Sequence, residues 1–563
     1  MRESLLVLFI GFIAPFGATA GQSVQFMPVE DLKPGMKGVG KTVFQGTEVE
    51  NFEVEVIGVV KNVRPNSDLI LVKLSGGPLE ESGMIAGMSG SPIYINGKLL
   101  GALAYGLGVF PKEPVGAVVP IKEILSAGTR GSVGMELPRL ESYGNIVPVG
   151  TPVVFSGFDP RTIHWLGPRL EEFGFTPMAG GGGGDTESAR LVPGSVLAVK
   201  LLDGDFDLSA VGTLTYLDGD RFYAWGHQLF LSGRTELPAA GGYVHTIFKG
   251  SMSSNKIVSP TKVLGAVLED RLSGVSGSLK ARPRMLPLSI SVNSGGSVSN
   301  YNINVILNEL LTPLLSATAV MNSVMMTGSR LGEVTIDALI RVNLEGHDPI
   351  RARVMYSDSA TTRTMANDFM ALIGSLMGTG FEKVSFKKVE IDLSLIEERK
   401  TARIIGASVN KAVASPGDTL TVTIRMRPYL QEEYTKTVDL VIPEDIPPGE
   451  VSITIENGSS ASASEIASNT FTVNPRNLDE LLDRFDLLRP FNSIVVKMHA
   501  AGKTVSVPGG DMPSVPPSFL TVIGKAEPHR VWRASTAVRY EKLIETEELV
   551  RGGAALKVKV EER

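Results

Sequence analysis

Gly87-Met88-Ser89-Gly90-Ser91-Pro92-Ile93-Tyr94-Ile95-Asn96-Gly97-Lys98-Leu99-Leu100-Gly101-Ala102-Leu103-Ala104-Tyr105-Gly106 is the stretch on which the reading of this chain turns. Asn96-Gly97 between two apolar runs predicts a tight β-hairpin. Ahead of it, glycines on both sides of Ser89 permit a strained turn that exposes the hydroxyl and aims backbone N–H groups at one point, as a serine nucleophile requires. The same letters also fit an ordinary glycine-rich hairpin whose serines cap the turn. A strand laid beside the serine offers Ala104, Tyr105 and Gly106 as a backbone edge for an extended peptide.

Outward from this hairpin, residues 24–125 alternate in short apolar runs between Gly, Pro and Asn turns, with Phe52, Val54 and Val56 and then Leu69 and Leu71 as examples. That is the pattern of a barrel or sandwich. After the glycine run at 180–184, the pattern resumes with Val196, Ala198 and Lys200, then residues 211–217, an Asp218-Gly219 turn, and a strand leading into Gly226-His227. Two such regions predict a mainly β, multidomain protein beginning with a two-part β-barrel, its serine-bearing half at 21–145 and its histidine-bearing half at 146–300. Residues 301–400 read as an α/β region with a helix over 312–326, Thr312 being its N-cap and Pro313 its first residue, and another over 364–376. Strict alternation of Leu420, Val422, Ile424 and Met426 predicts an immunoglobulin-like β-sandwich at 401–475. A small C-terminal region, 476–563, opens with a short helix capped by Asn477.

Composition sets the compartment. Arg2 precedes an apolar run over 5–13, and Ala18-Thr19-Ala20 follows, so residues 1–20 read as a signal peptide cleaved before Gly21. The mature protein is expected to be exported, periplasmic or extracellular. The 563-residue chain contains no cysteine, which excludes disulfides and thiol catalysis. A net charge of −6 with intermingled signs argues against nucleic acid as a partner. Gly35-Met36-Lys37-Gly38-Val39-Gly40-Lys41-Thr42 matches the phosphate-loop pattern letter for letter, but strand-like residues follow where a helix would have to begin, so no nucleotide is expected. The six histidines show no metal-ligand spacing, and neither a metal nor any other cofactor is expected.

A serine nucleophile needs a base of near-neutral pKa. His227, at the end of a strand and behind a glycine, is the first choice, and His245 is the second. At these residues the chain resembles the SpoIVB-type serine peptidase family, which has a chymotrypsin-like barrel, a GMSGSP turn before an apolar hairpin and a Gly-His motif after a strand. The resemblance runs over about residues 27–286. It implies an endopeptidase acting on protein or peptide substrates, with Ser89 as nucleophile, His227 as general base, and the amides of Gly87 and Ser89 as oxyanion hole. The order departs from the family, since here the serine portion precedes the histidine portion and no PDZ module stands before the peptidase region. The family's acid lies shortly before the serine, yet residues 72–78 hold no carboxylate. Asp270 is the leading substitute, with Asp68 and Asp220 as alternatives. A barrel kept as a peptide-binding or scaffolding module, without turnover, is the rival expectation. The C-terminal domains are expected to contact an envelope protein.

Overall fold

The computed structural model describes residues 24–562 apart from 65–66, 108–112, 127–145, 182–189, 251–252, 328–332, 359, 469–472, 508–509, 514–517 and 519–532. The expected signal peptide and most of the glycine run lie outside the described residues.

Six strands form the first barrel: β1 (Lys37–Thr42), β2 (Glu50–Arg64), β3 (Ser67–Ser75), β4 (Pro92–Ile95), β5 (Lys98–Leu107) and β6 (Val115–Pro120). Each pairs antiparallel with two others, and the ring closes in the order 1-2-3-6-5-4. Asn96 and Gly97 supply the positive φ values, 51° and 76°, that the β4–β5 turn demands. Phe52, Val54 and Val56 face the core as the alternation requires. In β3 the barrel interior is lined instead by Ile70, Val72 and Leu74, with Leu69 buried on the outer side. The residues that mimic a phosphate loop are a turn at Gly35 followed by β1, and no helix starts at Lys41.

The second barrel contains β7 (Val196–Gly204), β8 (Asp207–Asp218), β9 (Arg221–Ala224), β10 (Gly233–Phe248), β11 (Ser254–Arg271) and β12 (Gly274–Ser278). Its ring, 7-8-9-12-11-10, is also wholly antiparallel and repeats the connectivity of the first barrel strand for strand. The architecture is therefore a two-part chymotrypsin-like β-barrel. The connection from third to fourth strand carries Ser89 in one barrel and His227 in the other.

The α/β region at 301–400 is continuous with the second barrel. Ser297–Ile306 pairs with β7 and with Met285–Ser294, and the latter lies parallel to Phe386–Ile396, which pairs with Thr335–Leu344. One apolar core runs from Val153 through both barrel and extension to Leu395. The two expected helices are Leu311–Met326 and Thr361–Met377. The first begins one residue earlier than Thr312, because the Asn308 carboxamide accepts the amides of Leu310 and Leu311.

Residues 401–562 build two sheets around one core. Leu420, Val422, Ile424 and Met426 all point into it. The boundary expected at 475 does not separate two bodies, since Gly449–Asn457 pairs with both Ser493–Val507 and Gly553–Val560. Asn477 caps Leu478–Asp486 by accepting the Glu480 amide at 2.8 Å. No helix among the described residues is long and apolar enough to cross a membrane.

Candidate functional site

The serine turn is clamped from both barrels. Within the first, the Gly90 amide donates to Leu103 O at 2.7 Å, and the Ser91 hydroxyl and amide both donate to Met88 O. From β8 of the second barrel, the Thr213 amide donates to Ser89 O at 2.8 Å, the Thr213 hydroxyl to Gly87 O at 2.9 Å, and the Thr215 hydroxyl to Gly90 O at 2.7 Å. Close approach explains the glycines. A Cβ on Gly90 would lie 2.0 Å from Thr213 O and 2.5 Å from the Trp225 amide nitrogen, at a φ of +96°. A Cβ on Gly226, at φ +71°, would lie 2.9 Å from the Ala104 Cβ. The two motifs therefore meet backbone to backbone at the seam between the barrels.

His227 is buried in that seam, with Tyr105 on one side and Trp225 on the other, ring centroids 6.5 and 6.3 Å away. Its Nδ1 lies 2.8 Å from Gln228 O. A carbonyl oxygen can only accept, so Nδ1 carries the proton and Nε2 of the neutral ring presents its lone pair. Burial pulls the imidazole down to about 4, which keeps it neutral at pH 7. Ser89 Oγ and His227 Nε2 are both buried and have no hydrogen-bond partner among the described residues. They are not bonded to each other. Orphaned buried polar atoms are uncommon, and this seam holds four of them, since Trp225 Nε1 and Gln228 Nε2 beside the histidine are also unpartnered; of the four, Ser89 Oγ and His227 Nε2 are the ones with nucleophile and base chemistry.

Asp270 is not behind the imidazole. Its carboxylate accepts the amides of Leu229 at 2.8 Å, Phe230 at 2.7 Å and Ser232 at 3.1 Å, so it fixes the loop after His227 while the Gln228 carbonyl orients the ring. Burial pushes the Asp270 carboxyl up against the pull of these amides. Asp68 accepts the Asn62 amide, and Asp220 pairs with Lys280; neither bonds His227. His245 meets Ser259 at 2.7 Å.

Two further expectations change. The edge of β5 offered to a peptide is already covered: Tyr105 and Gly106 lie opposite Pro148 and Val147, and the Val149 amide donates to Ala104 O at 2.8 Å. Of the two amides expected to form an oxyanion hole, that of Gly87 is engaged by Gly150 O at 3.1 Å, while that of Ser89 has no acceptor among the described residues.

Sequence reasoning missed Thr213, Thr215, Gln228 and Lys256. Lys256 is wholly buried beside the serine turn, its Cδ 3.4 Å from where a Gly87 Cβ would stand, and its Nζ donates to Thr42 Oγ1 at 2.7 Å. Burial lowers its amine to about 7. Its sequence signal is a lysine in the inward phase of a strand, two residues before the buried Val258.

Residues 19–122 match the family model described as SpoIVB peptidase S55. That segment covers the first barrel and Ser89, contains no histidine, and ends before the second barrel. It supports a SpoIVB-like serine peptidase at the level of the family. No curated protein and no solved structure matches the chain.

Proposed function

We propose, taking the SpoIVB-type match of the first barrel as premise, that this protein is an exported serine endopeptidase in which Ser89 is the nucleophile and His227 the general base. The observation that carries this reading is the pair of partnerless buried atoms, Ser89 Oγ and His227 Nε2, on equivalent connections of two barrels with one topology. In the proposed reaction Oγ attacks the substrate carbonyl while its proton passes to Nε2. Collapse of the tetrahedral adduct gives an acyl-serine and returns that proton to the leaving amine; water then repeats the sequence in reverse sense. The Ser89 amide, with that of Gly87 once released from Gly150, would face the oxyanion.

The protein departs from a full triad in a way that sets the rate. A carbonyl fixes the tautomer as an aspartate would, but it brings no negative charge to the imidazolium, and an enzyme stripped of its triad aspartate can lose about 10⁴ in turnover. Slow, selective cleavage suits a regulatory peptidase. The engagement of Asp270 by backbone alone favours, as second reading, a barrel that binds peptide without cutting it. Export rests on residues 1–20, and N-terminal sequencing of the secreted chain should begin at Gly21. The sandwich at 401–562 bears no part of the site and is read as the contact for an envelope protein.

The deciding experiment is labelling by a fluorescent fluorophosphonate. Label that is lost in Ser89→Ala and in His227→Ala supports the peptidase, whereas a folded protein that never labels at Ser89 supports the binding module.

A further inference from the structure

We infer that residues 146–150, Ile146-Val147-Pro148-Val149-Gly150, are a built-in occupant of the substrate groove and display the kind of peptide it takes. The inference rests on the assignment of Ser89 as nucleophile. A barrel peptidase grips the backbone of its substrate twice, through a strand edge beside the serine and through the amides around the serine turn. This segment satisfies both. Ile146, Val147 and Pro148 run antiparallel to Leu107, Gly106 and Tyr105, the Val149 amide continues the ladder to Ala104 O at 2.8 Å, and Gly150 O accepts the Gly87 amide at 3.1 Å.

The proline is informative. Because Val149 bonds Ala104, the next pair along the ladder, Tyr105 and Pro148, falls at a non-hydrogen-bonded position, where the missing N–H costs nothing. The groove therefore accepts an extended, uncharged peptide with proline opposite Tyr105 and a small β-branched residue after it. Of the segment's four side chains only that of Val149 is fully buried, those of Ile146, Val147 and Pro148 being half-buried, so the segment is held chiefly by its backbone and can be displaced by a competing strand. Beyond Gly150 the chain is held again, since Thr151–Ser156 pairs along Phe175–Ala179 and β8. Clamped at the β5 edge and at the Gly87 amide, the segment acts as an inhibitor strand.

Val149→Pro removes the ladder donor while leaving an apolar side chain. In the full-length protein it should raise the rate of Ser89-dependent fluorophosphonate labelling about fivefold to tenfold, the range set by one backbone hydrogen bond. The peptide acetyl-Ile-Val-Pro-Val-Gly-amide, added to the variant, should slow labelling back towards the wild-type rate. Should Val149→Pro not fold, Val147→Pro, opposite Gly106, is read in the same way. Wild-type and variant rates that are equal, with both lost in Ser89→Ala, overturn the inference and leave the peptidase standing. Absence of Ser89 labelling in wild type and in both folded variants overturns the peptidase assignment and the inference together.

Discussion

Replacing Lys256 by methionine should make the protein more stable at pH 7, although the substitution deletes a hydrogen bond. The lysine lies on β11 opposite Ile247, with Thr42 from the first barrel at its amine and the backbone of Gly87 along its stem. Desolvation is the sole cause of its shift, so none of the described titratable groups compensates the charge. With the folded amine at about 7 and an unfolded lysine near 10.4, the gap of about 3.4 units corresponds to roughly 4–5 kcal/mol. The folded pKa lies below the unfolded one. Stability is therefore full above about pH 10 and is lost as pH falls towards 7. Methionine removes that cost, fills a similar unbranched volume, and leaves the Thr42 hydroxyl unpaired at about 1–3 kcal/mol. A net gain of about 1–4 kcal/mol at pH 7 should raise Tm by roughly 2–8 °C. Thermal denaturation at pH 7 and pH 9 provides the assay. The wild type should gain stability between the two and the variant should not, so that the advantage shrinks as pH rises. A variant less stable than wild type at pH 7, with wild-type stability flat between pH 7 and 9, would refute the argument.

Because burial holds the His227 imidazole at about 4, against a reference near 6.5, the acid limb of Ser89 labelling should fall near pH 4. The same depressed pKa costs stability as pH drops from about 6.5 to 4, by roughly 3 kcal/mol in all, and His227→Gln should flatten that part of the urea-denaturation profile. Asp270→Asn turns an amide group towards the N–H groups of Leu229, Phe230 and Ser232. It should cost about 3 kcal/mol or more in stability as well as labelling, whereas loss of labelling at unchanged Tm would identify Asp270 as a true triad acid. Gly90→Ala forces a Cβ into the Thr213 carbonyl; its soluble yield and thermal transition should collapse, and a native-like transition would contradict the tight seam.

On the proposed reading the peptide groove and the catalytic seam share a boundary at Gly87, whose amide, engaged by Gly150 O, could not serve a developing oxyanion at the same time. Release of residues 146–150 would then couple access for substrate to completion of the proposed oxyanion hole. A strand partner would displace the segment only by reproducing its ladder to Ala104 and Gly106, which would tie activation to the same chemistry that selects the substrate.

Local chemistry was legible in the sequence because it depends on near neighbours. The Asn96-Gly97 turn, the alternation of Phe52, Val54 and Val56, the Asn477 cap and the glycine-flanked Ser89 each follow from a few consecutive residues. The seam could not be read that way. Thr215 grips Gly90 across a separation of 125 residues, and Asp270 reaches the Phe230 amide across 40. Asp270 looked like a triad acid by its distance from the histidine, yet its lone pairs go to backbone amides that only the folded loop presents. Lys256 went unnoticed in the sequence, because its burial and its bond to Thr42 arise only where the two barrels close over it. Residues 301–400 carry the pattern of a separate domain, but Ser297–Ile306 adds to β7 and merges the cores. The turns and strands were determined by the sequence alone, because covalent neighbours fix φ, ψ and the facing of side chains. The closure of the barrels, the partners of buried polar atoms and the strand that fills the groove were decided by tertiary structure, because each depends on which distant surfaces exclude water from one another.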